Sequence, residues 1–180
     1  MKFLTTFIEG LIIIEPDVYG DSRGSFFESW TRKEFESHGI PADFVQDNQS
    51  YSSKNVLRGL HYQLPPFAQG KLVRVVRGSV LDVAVDIRNE SPTCGQHFLL
   101  ELSEKNNKML WIPEGFAHGF LTLENDTVFL YKCTAYYDRK SETGIRYDDP
   151  SLNILWNIAN PVLSEKDMAL PFFKEQNFNV

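Results

Sequence analysis

Two histidine-containing segments carry the side chains best suited to chemistry in this chain of 180 residues. In the first, His61 and Gln63 precede Lys71 and Gly78, and in the second His118 closes the run Pro-Glu-Gly-Phe-Ala-His. An imidazole, with an unperturbed pKa near 6.5, can accept a proton at neutral pH. A lysine ammonium can stabilise negative charge that develops on an oxygen. Together these groups predict removal of a proton from a carbon next to a carbonyl.

The spacing of these residues resembles the two sequence motifs of the cupin superfamily. Pro113, Gly115 and His118 match the second motif, Pro-x-Gly-x-x-His. The first motif is incomplete, because Gln63 stands where cupins carry a second histidine ligand and Lys71 where they carry a glutamate ligand. An ammonium has no lone pair for a metal ion and repels a dication at close range. The pattern therefore favours acid–base chemistry in a small barrel without a bound metal.

Short strand patterns surround both histidine segments. Aromatic residues make up 13% of the chain and Val, Ile and Thr are frequent, which favours sheet over helix. From Phe44 onward strand patterns recur about every 8 to 12 residues, at 72–76, 80–87, 98–102, 109–112, 119–123 and 127–133. Such spacing indicates an antiparallel sandwich or barrel. With the cupin resemblance, we expect a mainly β, cupin-type antiparallel β-barrel (jelly roll) with a few short helices at the periphery.

The segment 81–87 shows the alternation of a strand that is buried on one face. Its odd positions are apolar, whereas Asp82 and Asp86 share the opposite face. If that second face lines a cavity, both carboxylates lie inside the barrel.

The N-terminal and C-terminal parts carry shorter patterns. The apolar run 11–14 stops at Pro16 and predicts a terminal strand that could pair with another subunit. A turn-rich segment then presents Arg23 on an exposed hairpin. Thr31 and Glu34 have the spacing of a capping box and predict a helix of about two turns. Residues 163–167 predict the start of a second short helix.

Composition limits the remaining possibilities. Residues 1–180 are expected to form one domain, and the net charge of −6 argues against nucleic-acid binding. Cys94 and Cys133 are expected to stay reduced, because one potential pair is no disulfide framework. Glu9 and Glu15 interrupt the apolar residues near the N-terminus, so neither a signal peptide nor a membrane span is expected. We expect a soluble, cytoplasmic protein.

A closer resemblance covers nearly the whole chain in order. The segments that carry it are 20–28, 44–50, 57–63, 70–74, 82–88, 90–93, 111–119, 130–134 and 163–167. In these segments the chain resembles the dTDP-4-dehydrorhamnose 3,5-epimerase family.

That resemblance implies a cofactor-free epimerase in dTDP-L-rhamnose biosynthesis. Its substrate would be dTDP-4-keto-6-deoxy-D-glucose, inverted at C3 and C5 through enolate intermediates to give dTDP-4-keto-L-rhamnose. The matching positions make His61 the base, oriented by Asp167, and place Lys71 near the C4 oxygen. Tyr131 would be the acid that reprotonates the opposite face, which suits a phenol with an unperturbed pKa near 10.

The resemblance also implies a set of substrate-binding residues. Those expected around the sugar and the phosphates are Gln46, Asn48, Arg58 and His118, with Tyr136 against the thymine. Those expected from the neighbouring subunit of a homodimer are Arg23, Phe26 and Glu28.

Each assignment has a structural alternative when the residues are taken alone. Asp167, three positions after Ser164, fits a helix cap, and Asp82 or Asp86 could orient His61 instead. Tyr131 on an alternating strand fits a core tyrosine with a satisfied hydroxyl. The rival functions are a C3-only epimerase or an isomerase of a related nucleotide 4-keto sugar, a non-catalytic sugar-binding cupin, and a metal-dependent cupin oxygenase.

Overall fold

Two antiparallel β-sheets, packed face to face, form the body of the molecule. The computed structural model describes residues 1–41, 43–176 and 178. The strands are β1 (Lys2–Thr5), β2 (Ile12–Glu15), β3 (Tyr19–Asp21), β4 (Gly24–Phe26), β5 (Gln46–Ser52), β6 (Leu57–Gln63), β7 (Lys71–Arg77), β8 (Ser79–Asp86), β9 (His97–Ser103), β10 (Met109–Ile112), β11 (Phe116–Thr122), β12 (Thr127–Cys133) and β13 (Glu142–Gly144). The helices are α1 (Arg32–Ser37) and α2 (Glu165–Met168), with a 3₁₀ turn at Phe173–Glu175.

The strand order confirms the predicted mainly β barrel. One sheet has six strands in the order β1-β2-β10-β7-β12-β5, and the other has five in the order β13-β6-β11-β8-β9. Strands β3 and β4 form a separate hairpin. The strands predicted at 109–112 and 127–133 have the observed bounds, whereas the strand predicted at 119–123 begins earlier. It begins at Phe116 because this residue already pairs with Asp86 of β8.

The N-terminal strand pairs within its own chain. β2 is hydrogen-bonded to β1 on one side and to β10 on the other. The prediction that this strand pairs with another subunit is therefore wrong. The strand pairs internally because a turn ending at Gly10 folds residues 2–5 back onto β2. Gly10 has a φ of 96°, a conformation that glycine adopts readily.

Both predicted helices begin at a side-chain cap. The Thr31 hydroxyl accepts a hydrogen bond from the main-chain N–H of Glu34 at the start of α1. The Ser164 hydroxyl accepts one from the N–H of Asp167 at the start of α2. None of the helices in the described part of the chain is long and apolar enough to cross a membrane.

The space between the two sheets has an apolar half and a polar half. On the side of β2, β8, β9 and β10 it is filled by buried apolar residues, among them Ile8, Leu11, Val80, Ala84, Leu102, Leu110 and Ile112. On the side of β5, β6, β7 and β12 polar side chains face a cavity instead. The alternation predicted for β8 is observed, because Val83 and Val85 pack in a second cluster outside the barrel while Asp82 is fully buried between the sheets.

Candidate active site

Three strands bring His61, Lys71 and Tyr131 to one place. These three side chains line both of two adjoining cavities, of about 560 and 260 Å³. They meet because side chains two apart on a strand share a face and because β7 pairs with β12, so that Lys71 lies opposite Cys133 and Val73 opposite Tyr131. The same groups that the sequence singled out for chemistry therefore share one site.

The imidazole of His61 is held by a carboxylate. Its Nε2 lies 2.6 Å from Oδ1 of Asp167, which is buried on α2. A carboxylate only accepts hydrogen bonds, so Nε2 carries the proton and Nδ1 has the free lone pair. Burial by itself would raise the pKa of Asp167, but the hydrogen bonds from His61 and Ser164 and the nearby charge of Lys166 together lower it. Asp167 therefore stays ionised beside the imidazole.

The other two carboxylates considered for His61 have different partners. Asp82 Oδ2 lies 2.9 Å from Nε2 of His118. Asp86 accepts hydrogen bonds from Arg88 and from two hydroxyl groups of the following turn. The alternative in which Asp82 or Asp86 orients His61 is therefore wrong. The helix-cap alternative for Asp167 holds for its main-chain N–H, which leaves its carboxylate free to reach His61.

Lys71 presents a buried ammonium to both cavities. Within the described residues, its Nζ makes one long contact, 3.5 Å from the main-chain oxygen of His61. Burial lowers the pKa of Lys71, while Cys133, Glu142 and Asp82 favour its charged form. Most of its donor capacity is therefore available to an oxygen of a bound ligand.

Tyr131 faces the site from the opposite wall. β12 belongs to the six-stranded sheet and β6, which carries His61, to the five-stranded sheet. Burial raises the pKa of Tyr131, and Cys133 and Glu142 raise it further, although Arg58 lowers it. Its hydroxyl makes no hydrogen bond to the part of the chain that the structure describes, so the core alternative with a satisfied hydroxyl is not observed. A neutral phenol and an imidazole thus approach the cavity from two sides.

Several predicted binding residues line the same cavities. The Arg58 guanidinium donates to the Ser52 hydroxyl, at 3.2 and 3.1 Å, and pairs with no carboxylate among residues 1–41, 43–176 and 178. His118 lines the larger cavity with Arg58. Gln46 and Asn48 line the smaller one and are joined by a hydrogen bond of 2.9 Å. The unpaired guanidinium can take an anionic ligand.

Tyr136 is not among the residues that line these cavities. Its side chain is 67% exposed, and its neighbour Tyr137 lines the smaller cavity instead. Gln63 fixes this loop, because its amide donates to the main-chain oxygens of Phe67 and Tyr136 and accepts from the N–H of Asp138. The residue that stands at the position of a cupin metal ligand therefore holds a loop here.

Arg23, Phe26 and Glu28 are exposed and do not line either cavity within one chain. Arg23 and Phe26 lie on the β3–β4 hairpin, and Arg23 pairs with Asp21 on the surface. Exposed ion pairs of this kind contribute little to stability. A single chain does not bring these three residues to the site.

Sequence reasoning missed three residues at the rim of the site. Glu142 of β13 accepts hydrogen bonds from Lys166 and from the Tyr137 hydroxyl. Burial would raise the pKa of Glu142, but these two hydrogen bonds and the charge of Lys166 lower it. In the sequence all three resemble ordinary surface residues. The pairing of β13 with β6 places Glu142 near His61, and the hydrogen bonds to Glu142 bring Lys166 and Tyr137 there.

Among the described residues, no group of three or more His, Cys, Asp or Glu side chains is placed to hold a metal ion. The two barrel histidines each direct Nε2 to a carboxylate rather than to a common point.

The fold and these side chains define a cupin-type barrel whose polar half is equipped for acid–base chemistry. The sequence model of one family, dTDP-4-dehydrorhamnose 3,5-epimerase, matches residues 5–175. The chain belongs to this family of carbohydrate epimerases.

Individual relatives are similar over almost their whole length. The dTDP-4-dehydrorhamnose 3,5-epimerase of Shigella flexneri is 53% identical over 169 residues, which cover 93% of each chain. The crystal structure of the Elizabethkingia anophelis enzyme of the same name has a TM-score of 0.94 and 45% identity, covering 99% of each chain. A dTDP-6-deoxy-D-glucose-3,5-epimerase from Legionella pneumophila, solved in complex with dTDP-4-keto-L-rhamnose, has a TM-score of 0.92 and 51% identity, covering 96% of this chain and 93% of its own.

Proposed function

We propose that the protein converts dTDP-4-keto-6-deoxy-D-glucose to dTDP-4-keto-L-rhamnose by inverting C3 and C5, without a cofactor, in dTDP-L-rhamnose biosynthesis. One observation carries the proposal. A carboxylate-held imidazole and a phenol lie on opposite walls of a cavity that also holds a buried ammonium. Family membership and the ligand of the Legionella enzyme support the choice of substrate.

The first half of each inversion removes a proton. C3 and C5 both flank the C4 ketone, so a C–H bond at either carbon can break to give an enolate. Nδ1 of His61 accepts the proton, and Asp167 stabilises the imidazolium that forms. Lys71 donates to the C4 oxygen as negative charge develops there.

The second half returns a proton from the other side. The Tyr131 hydroxyl protonates the same carbon on its opposite face, so the carbon inverts and the C4 ketone is restored. The raised pKa of Tyr131 keeps the phenol protonated until the enolate is present. The imidazolium then loses its proton to solvent and the phenolate regains one, which prepares both groups for the second carbon.

The residues around the reacting ring bind the rest of the substrate in this proposal. Arg58 and His118 in the larger cavity and Gln46 and Asn48 in the smaller one contact the sugar and the phosphates. We propose that Tyr137, rather than Tyr136, contacts the thymine, because Tyr137 lines the smaller cavity.

The active form in this proposal is a homodimer in which Arg23, Phe26 and Glu28 reach the partner's site. Their exposure supports it, because the hairpin presents Phe26 and Tyr19 with two thirds of each side chain uncovered. Mixing His61→Ala and Arg23→Ala chains tests whether Arg23 of one subunit acts in the site of the other. Mixed dimers would then contain one intact site, so activity should return on mixing. If the mixture stays inactive, Arg23 does not act in the partner's site.

Proton NMR of the keto-sugar nucleotide in deuterated water tests the reaction. We expect solvent deuterium at both C3 and C5 with the wild-type protein, and none with His61→Ala. His38→Ala, which removes an exposed histidine of α1's end, is the matched control and should exchange normally. Deuterium at C3 alone would show a C3-only epimerase. Binding without exchange would show a sugar-binding protein, and a stoichiometric transition metal in the purified protein would favour the oxygenase.

The proposal includes a cytoplasmic location. Cys94 and Cys133 are free thiols in the structure, which suits a reducing compartment. Recovery of the protein from the cytoplasmic fraction of cells would agree, and recovery from the cell envelope would not.

A further inference from the structure

The barrel contains a second carboxylate–imidazole pair that the reaction above does not use. Asp82 lies on β8 and His118 on the neighbouring strand β11. Asp82 Oδ2 accepts a hydrogen bond of 2.9 Å from Nε2 of His118. The side chain of Asp82 is fully buried and that of His118 is 7% exposed, at the wall of the larger cavity.

Asp82 has little structural purpose of its own. Its second carboxylate oxygen, Oδ1, is buried and has no hydrogen-bond partner within the described chain. The neighbouring inward positions of β8 are Val80 and Ala84, which belong to the apolar core. A buried carboxylate with an unsatisfied oxygen destabilises a fold, whereas an apolar side chain at this position would not. The charge of Asp82 favours the ammonium form of Lys71, and within the described chain the direct contact of its carboxylate is the hydrogen bond with His118.

The hydrogen bond decides which nitrogen of His118 can meet a ligand. A carboxylate only accepts, so the proton of the imidazole lies on Nε2 and is turned away from the cavity. Nδ1 is then a hydrogen-bond acceptor. The His118 ring stacks on the ring of Phe129, with centroids 6.1 Å apart, and this contact helps to hold the imidazole in its orientation.

We propose that Asp82 is a positioning residue that fixes His118 as the acceptor for a hydroxyl group of the hexose. A sugar hydroxyl has a proton to donate, whereas a diphosphate oxygen at neutral pH has none. The inference deepens the role of His118 and rests on the proposed function, because it takes the ligand to be a nucleotide sugar. It separates recognition of the sugar by His118 from recognition of the phosphates by the unpaired guanidinium of Arg58.

Nitrogen-15 NMR of the histidine rings in the ligand-free protein tests the tautomer without any substrate. We expect the His118 proton on Nε2 in the wild type, and loss of this single tautomer in Asp82→Asn, whose amide can donate as well as accept. A His118 proton on Nδ1 in the wild type would overturn the proposal. Because this measurement needs no reaction, its failure is distinct from failure of the proposed activity.

Calorimetry with two probes tests the ligand group. dTDP-glucose carries the hexose hydroxyls, and dTDP lacks them. Asp82→Asn should weaken binding of dTDP-glucose about tenfold, the effect of one lost hydrogen bond, and leave binding of dTDP unchanged. Equal weakening of both probes, or of neither, would overturn the proposal. Asp86→Asn, which changes another fully buried carboxylate of β8 that does not touch His118, should leave both affinities unchanged.

A double-mutant cycle shows whether Asp82 acts through His118. In a His118→Ala background, Asp82→Asn should have no further effect on dTDP-glucose affinity. A second tenfold loss in that background would show a general effect on folding instead. In turnover, Asp82→Asn should raise KM and change kcat little, because the contact is made equally in the bound substrate and in the transition state.

Discussion

The barrel holds two carboxylate–imidazole pairs whose surroundings differ. His61 and His118 are directly opposed on the paired strands β6 and β11. Asp167 reaches His61 from a short helix outside the barrel, and that imidazole is 28% exposed. Asp82 reaches His118 from within the sheet, where the carboxylate is fully buried and the imidazole 7% exposed.

Because their surroundings differ, the two carboxylate–imidazole pairs suit different roles. The His61 pair meets solvent, so the imidazolium formed in a reaction can lose its proton again. Asp167 also has partners on both sides, since Ser164 caps its N–H and Lys166 lies beside it. The His118 pair is almost fully buried and suits a fixed hydrogen bond. Exposure of the imidazole, rather than its partner, separates the proposed base from the proposed sugar contact.

The largest effect should come from Asp167→Asn. Because an amide can stabilise neither the tautomer nor the imidazolium as a carboxylate does, kcat should fall by about 10²- to 10⁴-fold while KM changes little. Steady-state kinetics measures this, with Glu165→Gln on the exposed face of the same helix as the control. If Asp167→Asn changed KM alone, Asp167 would act on substrate binding as Asp82 is proposed to do, and the two carboxylate–imidazole pairs would not differ in role.

Lys71→Met should separate catalysis from stability. We expect kcat to fall about 10²- to 10³-fold, because one donor to the developing oxyanion is lost. The free energy of unfolding should rise by about 1–3 kcal/mol, since a buried ammonium that makes a single long hydrogen bond within the described residues is removed. Urea unfolding of the folded variant measures the second quantity. A less stable variant would mean that the ammonium has a structural partner.

The pH dependence of kcat/KM should show the lowered pKa of Lys71. Activity should fall as the pH rises through that pKa, at a pH below the usual 10.5 for lysine, and this limb should be absent in Lys71→Met. The free energy of unfolding changes with pH in the opposite direction to the activity. Between the folded and the unfolded pKa the unfolded chain binds more protons at this lysine, so its contribution to stability rises with pH in that window. An alkaline limb at or above 10.5 would contradict the prediction.

The smallest effect should come from Ser164→Ala. Loss of the helix cap should lower the free energy of unfolding by about 0.5–2 kcal/mol. Because α2 carries Asp167, kcat should fall only a few-fold, by about 2- to 5-fold if roughly 0.4–1 kcal/mol of that loss is added to the activation barrier. Thermal unfolding and kinetics of the same preparation measure both. Loss of activity as large as that of Asp167→Asn would mean that the cap, and not the carboxylate, organises the pair.

The fold could be predicted further than the site. Period-two alternation and turn residues were enough for most strands of the barrel, because those features act over a few residues. No bounds were predicted for β1, β5, β6 or β13. Of these, β1 and β13 are short and each is defined by the strand it pairs with. The sequence pointed to Tyr136 for the thymine, whereas Tyr137 lines the smaller cavity, because Gln63 holds their loop in a way that the sequence does not show.

The sequence by itself determined the residue types: an imidazole, an ammonium and a phenol on strands, with Gln63 and Lys71 in place of two metal ligands. The tertiary structure decided which carboxylate serves which histidine. Asp167 lies 106 positions after His61 and Asp82 only 21, yet the distant residue makes the contact. The physical reason is that strand register and the docking of a capped helix place side chains within hydrogen-bond distance, and both depend on burial across the whole barrel rather than on neighbours along the chain.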